Sequence, residues 1–353
     1  MTPLGAQLIR RIESTGPLTV ADYMLECLLN PHHGYYTTRD PLGTGGDFVT
    51  APEISQMFGE LIGLFLAQCW IDRGRPAPFQ LVELGPGRGT LMADLMRATA
   101  QVPGFHDAAR LHLVEASPVL RKAQSATIPH PITHHDRLDD VPDGPLYLVA
   151  NEFFDALPIR QFLRDGGAWR ERLVGLSDGK LSFGLSDPID PPAIADRKPD
   201  TKQGALVEHC PAAQALATII GARIAASGGV ALVVDYGDAV SLGDTFQAVR
   251  NHEKVSPLDQ PGTADLTAHV DFGALAGAAH PAAATPLCPQ GAFLERLGIT
   301  PRAQTLARSL EDKALSDHIA AHRRLTHPKE MGTLFKAMAL FDPTSPMPPG
   351  YSE

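Results

Sequence analysis

Apolar positions along the chain recur first with a helical period and then in short runs that are typical of strands. Between residues 4 and 30 the apolar side chains have helical spacing, and Gly16-Pro17 divides them into two predicted helices. Further along, apolar runs separated by helical segments predict five strands, at 79–84, 111–115, 131–135, 145–150 and 229–234. Near-continuous apolar strands are buried on both faces. The pattern therefore predicts an α/β protein with a mostly parallel sheet between layers of helices.

A second group of strands is predicted between the fourth and fifth strands of the sheet. Residues 159–163, 169–176 and 180–185 have strand-like patterns, and glycine-containing turns separate them. Residues 186–199 are rich in Pro and Asp, as expected for an exposed link. We therefore expect a β-rich insertion in the α/β sheet.

The other periodic segments predict helices and one more strand. Thr50 and Glu53 have the spacing of a capping box, and Pro52 suits the first turn of a helix from about Glu53 to Trp70. Residues 238–265 have little periodicity. The later predicted elements are helices at 211–226, 269–279, 290–297 and 301–325 and a strand at 332–341.

These elements suggest five parts of the chain. Residues 1–75 form an N-terminal helical extension and lid, and residues 76–158 form the first part of the sheet domain. The β-rich insertion occupies 159–204, and the second part of the sheet domain, with helical elements on the substrate side, occupies 205–341. Residues 342–353 are rich in proline and are expected to be a flexible tail.

Composition and charge narrow the classes of function. The apolar fraction is 44%, the charged fraction is 20% and the net charge is −10, with scattered basic pairs, so we expect no nucleic-acid partner. The four cysteines, Cys27, Cys69, Cys210 and Cys288, are far apart and predict neither a zinc site nor a disulfide framework. The longest apolar stretch, 61–70, is about half a membrane span. We expect a soluble chain without an export signal or membrane insertion.

A glycine turn joins the first predicted strand to a helix, in the segment Glu83–Leu91 (E-L-G-P-G-R-G-T-L). A dinucleotide fingerprint would need a further glycine at position 90 or 92, where the chain has Thr90 and Met92. The spacing instead resembles motif I of class I S-adenosylmethionine methyltransferases. Glycines permit positive φ angles and close approach of a ligand, and the helix N-terminus favours a ligand carboxylate or phosphate. The predicted cofactor-binding residues of this segment are Glu83, Gly85, Gly87 and Gly89.

Two acids follow the next strands of the sheet. Glu115 ends the second strand, where an acid can accept hydrogen bonds from both ribose hydroxyls of a bound adenosine. The alternative is an acid that leads a helix beside Ser117, a good N-cap residue. A ribose acid would not distinguish NAD from S-adenosylmethionine. Asp136, after the third strand, is a candidate for the adenine amino group or a simple loop acid.

The segment N-E-F-F-D-A-L-P follows the fourth strand, at the edge where open α/β sheets bind ligands. Asn151 is a candidate both for binding the cofactor and for orienting an acceptor nitrogen, and Phe153 or Phe154 is a candidate for packing on the acceptor. The carboxylates of Glu152 and Asp155 suit a cationic acceptor, above all a guanidinium. The alternative is a strand-to-helix corner with Asp155 as a cap and the phenylalanines in the core. Asp235 and Tyr236 follow the fifth strand on the same rim.

The segment before the first long helix has two interpretations on local grounds. Phe48, Thr50 and Glu53 belong either to a lid over a cofactor or to a plain loop that leads to a capped helix. His318 and His322 have the spacing of two metal ligands, but Ile319 stands where a metalloprotease motif needs glutamate. We therefore expect surface histidines and no metal site.

Taken together, these motifs resemble the MidA family of S-adenosylmethionine-dependent methyltransferases, whose eukaryotic members are mitochondrial complex I assembly factors. The resemblance implies a class I methyltransferase fold, S-adenosylmethionine as methyl donor with S-adenosylhomocysteine as product, no metal, and a lid role for residues 43–53. It also implies symmetric dimethylation of an arginine on a complex I subunit, in the mitochondrial matrix for eukaryotic members and in the cytoplasm for a bacterial chain. The segments that carry it are 29–36, 46–63, 82–89, 151–162, 264–272 and 331–336.

Three classes of function compete at this point. The first is an enzyme that transfers a methyl group to a nitrogen by in-line displacement, on an arginine or on another acceptor. The second is an assembly or binding factor that keeps the fold without turnover. The third, a nicotinamide oxidoreductase, is disfavoured by the absence of glycine at position 90. Residues 245–255 differ from the usual family pattern, which leaves the acceptor side open.

Overall fold

The computed structural model describes residues 1–38 and 50–351. Helices and strands alternate through most of this range. The helices, in chain order, are α1 (Pro3–Thr15), α2 (Val20–Leu29), α3 (Tyr35–Thr38), α4 (Ala51–Ile54), α5 (Gln56–Asp72), α6 (Thr90–Thr99), α7 (Phe105–Ala108), α8 (Pro118–Thr127), α9 (Pro211–Ser227), α10 (Phe272–Ala278), α11 (Gln290–Leu297), α12 (Ile299–Ala307), α13 (Asp312–Thr326) and α14 (Met331–Leu334).

The strands fall into three sheets. In chain order they are β1 (Leu18–Thr19), β2 (Phe79–Leu84), β3 (Ala109–Val114), β4 (Ile132–His135), β5 (Leu146–Asn151), β6 (Arg160–Asp165), β7 (Ala168–Ser177), β8 (Lys180–Leu185), β9 (Leu206–His209), β10 (Gly229–Asp238), β11 (Gln247–Arg250), β12 (Glu253–Val255), β13 (Asp265–Thr267), β14 (Val270–Asp271), β15 (Ala283–Ala284), β16 (Cys288–Pro289) and β17 (Phe335–Phe341). The described part of the chain divides into two compact units. The smaller comprises 1–38, 155–213 and 240–270, and the larger comprises 50–154, 214–239 and 271–351.

The larger unit is built on a sheet with the strand order β15-β17-β10-β5-β2-β3-β4. Strands β4, β3, β2, β5 and β10 are mutually parallel, and β17 adds to β10 in the antiparallel direction. The sheet confirms the predicted mostly parallel α/β architecture. The order reverses between β2 and β5, so a ligand crevice is expected at the carboxyl ends of these two strands.

Helices α5 and α6 pack against this sheet and form much of the core of the larger unit. Helix α5 is apolar around most of its circumference, and Phe58, Ile62 and Leu66 are fully buried. Such a helix is stable only when other elements cover it on several sides. On α5, Glu60 is the buried exception, because Arg97 and Arg302 hold its carboxylate at 2.7 Å.

The predicted helix from Glu53 to Trp70 is interrupted in the structure, so this prediction was wrong in detail. Helix α4 ends at Ile54, and Ser55 has extended backbone angles and caps α5 by accepting the N–H of Met57. Pro52 lies in the first turn of α4 as predicted, but the Thr50 side chain makes no capping hydrogen bond. The serine forms a new N-cap because its hydroxyl competes for a backbone N–H group.

Two further predictions in the larger unit were wrong. The predicted helix 301–325 is two helices, since α12 ends at Ala307 and α13 begins at Asp312. The φ of +46° at Asp312 keeps the backbone from running as one right-handed helix from α12 into α13. The expected flexible tail is packed where the structure describes it. Tyr351 is 8% exposed, and its ring centroid lies 5.2 Å from that of Phe293.

The smaller unit combines the N-terminal helices with two small sheets. Its first sheet has the order β1-β7-β6-β9, with β8 paired to β7, and confirms the three predicted strands of the insertion. Its second sheet has the order β12-β11-β13. Strands β11 and β12 lie within the predicted aperiodic segment 238–265, and β13 begins at the end of that segment. The short strands of that sheet give too few alternations to be recognised in sequence. Apolar side chains of α1 and α2 pack with Ile159, Val174 and Leu266 in a core of their own.

Candidate cofactor and acceptor site

The glycine turn lies at the carboxyl end of β2, immediately before α6. Gly85, Gly87 and Gly89 have φ angles of +60°, +54° and +85°, which residues with side chains rarely adopt. At Gly85 a Cβ atom would lie 2.7 Å from the ring of Phe153, so the missing side chain makes room for this ring. At Gly89 a Cβ atom would lie 3.0 Å from Ile128. Two of the glycines therefore serve packing of the turn as well as its backbone conformation.

Glu83 is buried within β2, just before the turn. Burial and, to a smaller extent, the nearby Glu115 raise the pKa of its carboxyl to about 8, against the opposing effect of a hydrogen bond from the backbone of Met92. Its Oε2 atom is buried and has no hydrogen-bond partner among the described residues. A buried polar atom without a partner is costly. A ligand cation or N–H donor at the turn would remove that cost.

Glu115 lies directly after β3 and is 9% exposed. Its Oε1 accepts the backbone N–H of Ser117 at 2.7 Å, and its Oε2 accepts the side-chain amide of Gln124 at 3.3 Å. Ser117 is also the N-cap of α8, as the alternative of an acid that leads a capped helix expects, and the ribose role of Glu115 stays a prediction. Burial raises the pKa of Glu115, whereas the hydrogen bonds from Ser117 and Gln124 lower it.

Asp136 follows β4 and its side chain is 81% exposed. The carboxylate accepts a hydrogen bond from Arg121 at 2.5 Å. The same guanidinium binds the carbonyl oxygens of Glu115 and His135. Asp136 therefore forms part of an arginine clamp around the ends of β3 and β4.

The predicted acceptor segment begins at the carboxyl end of β5. Asn151 is 8% exposed, and its side-chain N–H group donates to Glu152 Oε1 at 3.1 Å. Its Oδ1 is buried without a hydrogen-bond partner among the described residues. Glu152 Oε1 also accepts the backbone N–H of Ala51 at 2.8 Å, at the start of α4. The segment continues as a turn into β6, so the alternative of a strand-to-helix corner was wrong.

Asp235 supports the acceptor segment from the neighbouring strand β10. It is fully buried, and its Oδ2 accepts the backbone N–H groups of Phe153 and Phe154 at 3.2 and 3.0 Å. Its Oδ1 accepts the N–H of Tyr236 at 2.9 Å. The ring centroid of Tyr236 lies 5.4 Å from that of Phe335. Asp235 thus fixes the backbone that carries both phenylalanines.

Of the predicted lid residues, Phe48 lies outside the described residues. Thr50 is the N-cap residue of α4 by position, although its side chain makes no capping bond. Glu53 Oε1 accepts the hydroxyl of Thr90 at 2.5 Å, and its Oε2 lies 4.0 Å from Arg88 in the glycine turn. Glu53 therefore ties α4 to the start of α6.

Asp155 is assigned to the smaller unit and is 6% exposed. Its carbonyl oxygen accepts the N–H of Ala268 at 2.9 Å. Tyr36 donates its hydroxyl to the buried Asp265 at 2.8 Å. Burial raises the pKa of Tyr36 well above its usual value, and Asp265 and Asp155 raise it further. This places two buried acids near one tyrosine.

Two residues of the larger unit were missed by sequence reasoning. Gln124 on α8 is fully buried and donates to the carbonyl of Gly87 at 2.8 Å, as well as to Glu115. Lys336 on β17 donates to the carbonyl oxygens of Gly237 and Thr333 at 3.1 and 2.8 Å. Lys336 lies in the segment 331–336, which carries the family resemblance, but the sequence assigned no role to this lysine. Gln124 has no local sequence signal, because a polar residue on a helix is usually exposed.

The residues at the glycine turn fit a nucleoside-linked amino acid cofactor. Each carboxylate oxygen can accept two hydrogen bonds, so Glu115 retains acceptor capacity for two ribose hydroxyls beside its two internal bonds. The unsatisfied Oε2 of Glu83 suits an ammonium group. Within residues 1–38 and 50–351, no group of three or more His, Cys, Asp or Glu side chains is arranged to hold a metal ion. No helix in the same ranges is long and apolar enough to span a bilayer.

Known proteins resemble this chain over most of its length. Residues 61–289 match a family described as "putative S-adenosyl-L-methionine-dependent methyltransferase". Protein arginine methyltransferase NDUFAF7, mitochondrial, from Homo sapiens is 38% identical over 371 residues, covering 96% of this chain and 83% of that protein. The NDUFAF7 homolog from Drosophila melanogaster is also 38% identical, covering 96% of this chain and 84% of that protein.

Solved structures extend the similarity to the fold. A protein from Burkholderia thailandensis, described as a likely methyl transferase and crystallised with S-adenosyl-homocysteine, is 27% identical to this chain. The two structures superpose with a TM-score of 0.82 over 99% of this chain and 92% of that one. A native structure from the same organism gives a TM-score of 0.79 at 28% identity, over the same shares of the two chains. The motifs, the sheet order and these relatives agree, and the chain belongs to the MidA family of S-adenosylmethionine-dependent methyltransferases.

Proposed function

We propose that this protein methylates an arginine side chain on a protein, with S-adenosylmethionine held by Glu83, by the turn from Gly85 to Gly89, and by Glu115. When bound, this cofactor supplies a methyl group on an activated sulfonium. Glu115 accepts the ribose hydroxyls, and Glu83 lies near the amino-acid end. The turn supplies backbone N–H groups and the positive end of the α6 dipole.

The observation that carries the acceptor assignment is the side chain of Asn151. Its N–H group is engaged by Glu152, so its amide orientation is fixed with Oδ1 as the remaining acceptor. That oxygen is buried without a partner among the described residues, at the carboxyl end of β5 next to the switch in strand order. An N–H group of an incoming acceptor would satisfy it. Asn151 would then orient the nitrogen that is methylated.

The carboxylates beside Asn151 favour arginine over lysine. A guanidinium stays protonated at neutral pH, and it must lose a proton as one of its nitrogens gains a methyl group. Glu152 and Asp155 are the candidates to hold the guanidinium, localise electron density on one nitrogen and accept that proton. A lysine would have to lose its proton beforehand, and nearby carboxylates would hinder this by raising the pKa of its ammonium group.

The protein substrate in this proposal is a respiratory complex I subunit, and the product is symmetric dimethylarginine that supports complex assembly. Its support is the family resemblance together with relatives named protein arginine methyltransferase NDUFAF7, mitochondrial. For a bacterial chain the reaction would occur in the cytoplasm. The alternatives are a different protein or small-molecule acceptor, or a binding factor without turnover.

Cofactor binding is tested with a Gly87→Val variant. A β-branched residue at a φ of +54° is strained and would project from the turn into the ligand's position, so binding of S-adenosylmethionine should be lost in calorimetry. Gly74→Val is the matched control, because Gly74 also has a positive φ, +82°, and no atom lies within 4 Å of its added Cβ. Unchanged affinity in a folded Gly87→Val protein would remove the cofactor assignment.

The acceptor is tested by mass spectrometry of complex I subunits from cells with and without this gene. We expect symmetric dimethylarginine on one subunit to depend on the gene and to disappear with Asn151→Ala. A mark that is indifferent to deletion would remove this substrate. A gene-dependent mark on another protein would identify a different acceptor, and a cofactor that binds without any turnover would favour the binding factor.

A further inference from the structure

Gln124 is a buried side chain that contacts two of the residues proposed to bind the cofactor. Its side chain is fully buried on α8. The amide nitrogen donates to the carbonyl of Gly87 at 2.8 Å and to Glu115 Oε2 at 3.3 Å. The amide oxygen lies 2.9 Å from Nε2 of His134. One side chain thus joins the glycine turn, the candidate ribose acid and the end of β4.

The chemistry of these partners fixes the orientation of the amide. The Gly87 carbonyl oxygen accepts hydrogen bonds and cannot donate them, and the same holds for the Glu115 carboxylate when it is ionised. The Gln124 nitrogen, which is the donor of the amide, must therefore face both groups. The opposite orientation would place the amide oxygen against two other oxygens. His134 must then carry its proton on Nε2 and donate to the Gln124 oxygen. Burial lowers the pKa of His134, and the charge of Arg121 lowers it further, which favours this neutral form.

We propose that Gln124 is a positioning residue for S-adenosylmethionine, which sets the direction of the Glu115 carboxylate and ties it to the Gly87 carbonyl. This inference rests on the proposed role of Glu115 as the acceptor for the ribose hydroxyls. Ser117 holds Oε1 from one side and Gln124 holds Oε2 from the other, so the lone pairs that remain have defined directions. A carboxylate held at both oxygens is preorganised for two vicinal hydroxyls.

Gln124 also affects the charge of Glu115. Burial raises the pKa of the Glu115 carboxyl, and the hydrogen bond from Gln124 opposes that shift. Without the amide, a larger fraction of Glu115 would be protonated near neutral pH. A protonated carboxyl has less capacity to accept the two hydroxyl hydrogens than a carboxylate. Loss of Gln124 should therefore weaken the ribose contacts more than any other part of the binding.

The experiment compares the affinity of S-adenosylhomocysteine with that of its 2′-deoxy analogue by calorimetry. In the wild type the missing hydroxyl should weaken binding about tenfold or more, as expected for one charge-assisted hydrogen bond. In Gln124→Leu we expect this ratio to fall below about threefold. A general loss of stability would weaken both ligands alike and leave the ratio unchanged.

Gln80→Leu is the matched control. Gln80 is also a buried glutamine of the larger unit, 6% exposed, with its amide bonded to a histidine and a backbone carbonyl. It contacts His112 and Asp143 rather than the glycine turn or Glu115. Its variant should be destabilised to a similar extent and keep the wild-type ratio. A lost ratio in this control would show that the discrimination does not depend on the contact between Gln124 and Glu115, because Gln80 does not contact Glu115, and it would overturn the inference.

A second variant covers the case in which Gln124→Leu does not fold. Gln124→Glu keeps the size and places a second acid against Glu115, so affinity for S-adenosylhomocysteine should fall and recover as the pH is lowered and one acid is protonated. If Gln124→Leu keeps the wild-type ratio, or Gln124→Glu binds at pH 8 like the wild type, Gln124 is not a positioning residue. Suppose that the wild type binds S-adenosylhomocysteine and its 2′-deoxy analogue equally well, and that Glu115→Gln binds S-adenosylhomocysteine like the wild type. These two results together would remove the ribose role of Glu115 itself.

Discussion

The Glu152 carboxylate accepts the backbone N–H of Ala51 at 2.8 Å, so the first residue after β5 holds the first residue of α4. Glu152 has a φ of +50°, a left-handed conformation that non-glycine residues adopt at a cost of about 1 kcal/mol or more. Its own N–H donates to Val234 at 2.9 Å, which keeps the residue in this conformation. The residue proposed to hold an acceptor therefore also orders the segment that leads to Glu53.

Because the Glu152 carboxylate is proposed to hold the acceptor and also holds Ala51, we expect two substitutions of Glu152 to have different effects. Glu152→Gln keeps an oxygen for Ala51 and removes the negative charge, so cofactor affinity should stay within about threefold while methyl transfer falls at least a hundredfold. Glu152→Ala also frees the start of α4, so cofactor affinity should fall as well. Calorimetry and a methyl-transfer assay measure both. Equal loss of cofactor affinity in the two variants would contradict the separation.

Asp235→Asn should reduce methyl transfer through the backbone of the acceptor segment. The side-chain NH₂ group would face an N–H group of Phe153, Phe154 or Tyr236, and the remaining charge-assisted hydrogen bonds would weaken. We expect kcat to fall at least tenfold with cofactor affinity nearly unchanged. Asp238→Asn is the control, because exposed Asp238, near the end of the same strand, accepts the N–H of its neighbour Ala239 and does not hold the acceptor segment. Wild-type kcat in Asp235→Asn would show that the segment tolerates this change.

Binding of S-adenosylmethionine should release a proton from Glu83. Because burial raises the pKa of Glu83 to about 8, its carboxyl is mostly protonated at pH 7. A bound ammonium group favours the carboxylate and lowers that pKa, so affinity should increase as the pH rises toward 8, by at most about tenfold per unit. Calorimetry at pH 7 in buffers of different ionisation enthalpy measures the released proton. Glu83→Gln should abolish the release, and a release that persists in this variant would come from another group.

A histidine pair on the sheet should make the protein sensitive to mild acid. A ring nitrogen of His112 lies 2.9 Å from His135 and another lies 2.7 Å from Gln80. Burial, together with the nearby His135 and Arg223, lowers the pKa of His112 to about 4. The unfolded chain binds this proton more readily. The stability from neutral His112 is therefore complete above about pH 6.5 and is lost as the pH falls toward 4, by on the order of 2 kcal/mol.

Urea unfolding at pH 7.5 and pH 5 tests this expectation. His112→Gln should lose less unfolding free energy between the two pH values than the wild type, because glutamine has no proton to gain. His32→Gln, at an exposed histidine, should keep the wild-type pH dependence. If all three proteins lose the same free energy, the acid sensitivity arises elsewhere.

Local sequence patterns predicted two kinds of element correctly. These are elements long enough to show an apolar period and turns with a characteristic spacing of glycines. The five core strands and the insertion strands have enough apolar positions to define a period, and the glycine turn has a spacing that only a few cofactor folds share. The predicted helices 53–70 and 301–325 were interrupted because single residues decided the breaks. Ser55 formed a new cap and Asp312 took a positive φ, and neither event changes the apolar period.

The α/β class, the glycine turn and the set of acids and amides at the strand ends can be predicted without a structure, because each depends on residues that are close along the chain. Which of these groups meet depends on how the chain folds. Gln124 reaches Gly87 across 37 residues of sequence, and Asp235 reaches the backbone of Phe153 across 82. Such contacts follow from the order of parallel strands, which brings distant segments to one edge and leaves no local pattern of its own.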